Sequence, residues 1–117
     1  MGIWIILAAI AAGAALTLII SFTITWLKNY LLQKRQMANV KKVIVADLEK
    51  MAKECNNTVS FDELAELTKQ GYTHCTVDIN KYGEAEGQVK IIKDINDSLD
   101  YEVEKLLGSE GVLVVEV

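Results

Sequence analysis

Residues 3–27 read IWIILAAIAAGAALTLIISFTITWL, with no charged side chain and no proline. In a chain of 117 residues such a run leaves few options, because too little other mass exists to bury a long helix that is apolar on every side. Its 25 residues would make a helix of about 37 Å at ~1.5 Å per residue, against ~30 Å for a bilayer core. Trp4 and Trp26 stand near its ends, roughly 33 Å apart on a helix, which suits indoles at the two membrane interfaces. The reading is a single transmembrane helix over residues 1–27.

Ala9, Gly13, Thr17, Ser21 and Thr25 recur at intervals of four. On a helix they share one face, with Ile6, Ile10, Leu16, Leu18, Ile20 and Ile24 off it. Small and hydroxylated side chains let helices approach closely in lipid. The stripe is therefore expected to pack against another transmembrane helix, from a second copy or another protein. Hydroxyls bonded back to their own helix carbonyls would leave the same pattern without a partner.

Charge is uneven along the chain. The net is −4, yet residues 28–46 hold Lys28, Lys34, Arg35, Lys41 and Lys42 and no acid. From Asp47 onward, 7 Lys face all 16 Asp and Glu. Basic residues gather beside the cytoplasmic end of a membrane helix, so the N-terminus is expected outside and the C-terminal domain in the cytoplasm. Trp4, Trp26, Lys28, Lys34 and Arg35 are the expected membrane-interface residues, the cations meeting lipid headgroups. Residues 28–39 read as a basic juxtamembrane segment or as more of the helix. The acidic balance of residues 40–117 argues against nucleic acid as a partner. Membrane lipid and another transmembrane helix are the partners implied. A cleaved signal peptide fits poorly, since no Lys or Arg precedes the apolar run and the run is too long.

No glycine separates Gly13 from Gly71, so nothing forces a stop at the interface. Val40, Ile44, Leu48, Met51 and Cys55 keep helical spacing, and residues 40–55 read as a helix. The β-branched run Val43-Ile44-Val45 offers an alternative, a strand over 40–46 ending where Asp47 caps a shorter helix. Asn56, Asn57 and Thr58 make a break. Ser60 and Glu63 form a capping box for a helix that stops near Gly71.

Residues 74–80 alternate, Cys75, Val77 and Ile79 against His74, Thr76, Asp78 and Asn80, as in a half-buried strand. A loop over 81–88 and a return strand over 89–95 follow. Asn96 or Asp97 would cap a helix ending at Gly108, with Asp94, Asp97 and Asp100 favoured near its N-terminus. Residues 112–117 read VLVVEV, apolar enough to suggest a covered, central strand. The fold class is then a single transmembrane helix followed by a small α+β domain over 40–117. Its order is α-α-β-β-α-β, or a ferredoxin-like β-α-β-β-α-β if 40–46 is a strand.

Chemical motifs are sparse. Cys55, Cys75 and His74 are too few and too scattered for a zinc site. Adjacent residues on a strand face opposite sides, so His74 and Cys75 cannot form a nucleophile–base pair together. Asp78, Asn80 and Gly83 echo a calcium loop, but Val89 stands where its closing Glu is needed. The sequence thus implies no enzyme, no metal and no cofactor. It points to a single-pass membrane-anchored accessory or interaction subunit. The alternative is a membrane-tethered regulator whose domain binds a small ligand or a protein segment.

Overall fold

The computed structural model describes residues 15–55, 62–95 and 100–117. In chain order the elements are β1 (Ala15–Ile20), α1 (Ile24–Arg35), β2 (Lys42–Asp47), α2 (Leu48–Cys55), α3 (Asp62–Lys69), β3 (His74–Ile79), β4 (Ala85–Asp94), α4 (Tyr101–Leu107) and β5 (Val112–Glu116). The strands form one five-stranded mixed sheet of order β1-β4-β3-β2-β5. β1 runs parallel to β4, and every other neighbouring pair is antiparallel.

The transmembrane expectation is overturned. Ala15–Ile20 is a strand, paired from Ala15 opposite Val89 to Ile20 opposite Asp94. The helix that follows is a separate element of 12 residues, N-capped by Thr23, whose side chain accepts from the Trp26 N–H at 3.2 Å. Among the described residues no helix is long and apolar enough to cross a membrane. The single-pass anchor and the outside-to-cytoplasm orientation that rested on that helix fall with it. The physical reason lies in Thr17, Ile19 and Ile20, whose β-branched character suits a pleated surface, and in the edge of β4, whose free backbone groups β1 pairs. Hydropathy alone does not distinguish lipid from the edge of a sheet, and on β1 Leu18 and Ile20 are half-buried while Ile19 stays 65% exposed. Trp4, Ala9 and Gly13 lie outside the described residues.

Residues 42–47 form a strand, not the start of a long helix. Val43-Ile44-Val45 is central, with β3 on one side and β5 on the other. The ferredoxin-like alternative is also corrected. A split βαβ unit needs another strand between the two that its helix joins. Here β2 and β3, connected through α2 and α3, are direct antiparallel neighbours.

Helices cover both sheet faces. Under α2 and α3 lie Ile44, Ala46, Leu48, Met51, Cys75, Val77, Ile79, Val89 and Ile91. Under α1 and α4 lie Phe22, Leu27, Tyr30, Val40, Val43, Val45, Ile92, Val103 and Leu107. Every residue of β3 is buried, which replaces the half-buried strand that alternation implied. Asp100 ties two helices together: its Oδ1 accepts from the Glu102 N–H and its Oδ2 from the Ile24 N–H at 2.8 Å. It thus caps α4 and satisfies a free N–H at the start of α1. Residues 96–99 lie outside the described residues.

Candidate functional site

The alternation of β3 places His74, Thr76 and Asp78 on the face that α1 covers. α1 answers with Trp26, Tyr30 and Lys34, spaced by four and hence on one helix face. The Tyr30 hydroxyl donates to Asp78 Oδ1 at 3.1 Å, and the Thr76 hydroxyl donates to the Tyr30 oxygen at 3.3 Å. Lys34 Nζ lies 2.7 Å from Asp78 Oδ2, and Lys90 Nζ, from β4, lies 3.6 Å from the same oxygen. Both ammonium groups sit near the Tyr30 ring, at 5.1 and 5.6 Å from its centroid, within cation–π range. Trp26 stacks on that ring, centroids 5.0 Å apart. Burial pushes the Tyr30 phenol up to about 12, so it stays a neutral donor.

Toward the other end of β3, His74 is fully buried, with Phe22 tilted against its ring at 4.6 Å. Its Nδ1 shares a hydrogen bond with Thr73 Oγ1 at 2.8 Å. Its Nε2 lies 4.0 Å from Asp47 Oδ2, beyond hydrogen-bond reach, and among the described residues it finds no hydrogen-bond partner. Asp47 from β2 instead caps α2 through the Lys50 N–H, and Asp94 from β4 accepts the Phe22 N–H at 3.3 Å. Burial lowers the His74 pKa to about 4, outweighing the upward pull of Asp47 and Asp94; Lys50 adds to the lowering. A groove of about 470 Å³ lined by Asp47, Thr68, Lys69, Gly71, Tyr72 and Thr73 runs alongside.

This histidine makes a pH prediction. The native state prefers neutral imidazole, while the unfolded chain takes up a proton below about 6.5. Stability is therefore expected to fall as pH drops from about 6.5 to about 4, by about 3 kcal/mol from this group. Urea unfolding across that window, compared between the native chain and His74→Gln, isolates the effect. Parallel pH profiles for the two proteins would contradict it.

Cys75 points to the opposite sheet face and is buried, its thiol raised to about 12 chiefly by desolvation. A nucleophilic cysteine is shifted the other way. Among the described residues no group of three His, Cys, Asp or Glu side chains is placed to hold a metal ion.

The stripe and interface residues are dispersed. Thr17 is exposed on β1, Ser21 half-buried in the connection and Thr25 exposed in the first turn of α1, so these three share no helix face. Trp26 and Lys34 belong to the polar layer above, whereas Lys28 and Arg35 are exposed. Sequence reading missed the joining of Tyr30, Lys34, Asp78 and Lys90. The usable signal was the match between a four-residue spacing on α1 and the polar alternation of β3.

The sheet also has an unpaired margin. β5 was expected in a central position, yet it pairs only with β2. Among the described residues no strand meets its outer side. Val114 there is 53% exposed, and Glu116 is the strand's one charged residue. Natural edge strands are usually blunted by charge, proline or a bulge; β5 carries little of this protection. Compared with protein-family models, with curated proteins and with solved structures, the chain matches none.

Proposed function

We propose that this chain is a non-enzymatic interaction module that holds an extended protein segment against the outer edge of β5. The observation that carries the reading is the edge itself: an apolar strand whose backbone groups on one side meet no strand among the described residues. Such an edge is completed by strand addition, main-chain hydrogen bonds giving affinity and alternate side chains giving selectivity. Supporting it, His74 is sealed from solvent and the Cys75 thiol is held protonated, so neither supports catalysis. The net charge of −4 does not favour a phosphate backbone as partner.

The test uses a displayed library of short random peptides selected on the full chain. Binders are expected to lose affinity for Val114→Pro, which removes an outward N–H and is tolerated on an edge strand. Selected binders that hold Val114→Pro as tightly as the native chain would refute the reading.

A further inference from the structure

The direction of each backbone group on β5 follows from its bonds to β2. Gly111 O accepts the Asp47 N–H at 2.8 Å, and the Val117 N–H donates to Lys41 O at 3.0 Å. In an antiparallel ladder alternate residues turn both groups to the same side. The odd-numbered residues of β5 therefore face β2, and the N–H and C=O of Val112, Val114 and Glu116 face outward. This outward set is symmetric about Val114.

Building on the strand-accepting reading, we propose that the segment held at this edge is β5 of a second copy of the chain. The two strands run antiparallel about a two-fold axis at Val114. Val114 then exchanges both hydrogen bonds with its counterpart, and Val112 pairs with Glu116 of the other copy. Every outward group of the strand finds a partner, and two five-stranded sheets join into one. The contact is isologous and closed.

Side chains agree with this register. Val112 packs on the α2 and α3 face, so Val114 lies on the same face by alternation, where its exposed side chain meets its own counterpart. No like charges stand directly opposite, because Glu116 faces Val112 and not another Glu116. Lys50 of α2 lies over Gly111, its Cδ 2.7 Å from where a Cβ on that residue would be. Glu116 of the second copy, opposite Val112, arrives on the face that carries Lys50, whose Nζ donates to Gly108 O at 3.1 Å. Self-pairing thus sets an acid and a base on one face at each end of an apolar centre.

Light scattering of the full chain in nonionic detergent, over a range of concentrations, tests the proposal. The native chain is expected to show the mass of a dimer. Val114→Lys sets two ammonium groups face to face and should raise the dissociation constant roughly tenfold or more. Val114→Glu should do the same, and mixing the two variants should restore the dimer. A native chain of single-chain mass throughout, or a dimer indifferent to Val114→Lys, overturns self-pairing. If that single-chain form still binds selected peptides in a manner sensitive to Val114→Pro, self-pairing alone has failed. If it binds none, the strand-accepting reading fails as well.

Discussion

Replacing Asp78 by alanine is expected to destabilise the fold by about 3–5 kcal/mol. The Asp78 side chain is 5% exposed, and that of Lys34, 2.7 Å away, is 11% exposed. Two charges this well covered have lost most of their hydration, and the Lys34 ammonium depends on Asp78 for its compensation. Asp78→Ala leaves the Lys34 ammonium without its carboxylate and the Tyr30 hydroxyl without its acceptor. Lys90 contributes less to the loss, because its side chain is 21% exposed and can turn toward water. Lys34→Met is expected to cost less than Asp78→Ala, since Asp78 keeps Lys90 and Tyr30. The double change Lys34→Met with Asp78→Ala should cost less than Asp78→Ala alone, because it no longer leaves a buried ammonium without its carboxylate, although the Tyr30 hydroxyl still lacks its acceptor. Chemical denaturation of the three variants measures this ordering. A loss below about 1 kcal/mol for Asp78→Ala, the value of a solvent-exposed pair, would show that α1 does not lie over β3.

Phe22→Ala carries the second large effect, a loss of about 3–5 kcal/mol. Phe22 is 2% exposed, edge-on to Trp26 at 5.5 Å and tilted onto His74 at 4.6 Å. Truncation removes a large apolar ring and leaves a cavity between β1, α1 and the sheet. The same substitution should let water reach His74, weakening the desolvation that depresses its pKa. The acid-dependent loss of stability described above should therefore shrink in Phe22→Ala, giving an independent readout. A native-like melting temperature would mean that Phe22 is not packed against Trp26 and His74.

These two residues show where sequence patterns were and were not sufficient. The helix Asp62–Lys69, the strand His74–Ile79 and the strand Val112–Glu116 all follow from local signals: a glycine stop at Gly71, period-two alternation, and an apolar, mostly β-branched run after Gly111; the expected capping residue Ser60 lies outside the described residues. Phe22 and Asp78 were both misplaced, one assigned to lipid and the other to solvent. Each error came from treating an element as if its surroundings were known. Period-two alternation identifies the two faces of a strand but not what covers the polar one. His74, Thr76 and Asp78 resemble a solvated face until α1 supplies Tyr30 and Lys34 as partners.

Residues 3–27, the uncharged run that dominates the sequence, sharpen the distinction. By itself the sequence determined that this run is uncharged and strongly apolar, and that a helix, a β-hairpin, a second helix and a last strand lie further along the chain. Only the tertiary structure decided that Ala15–Ile20 completes a sheet beside β4, that Lys42–Asp47 is a strand, and that the apolar β5 lies at a margin and not in the middle. The reason is physical. Burial is encoded residue by residue in side-chain chemistry, whereas strand order depends on which backbone edges remain unpaired after the others have met. That competition is non-local, and among the described residues it leaves β5 paired on one side alone.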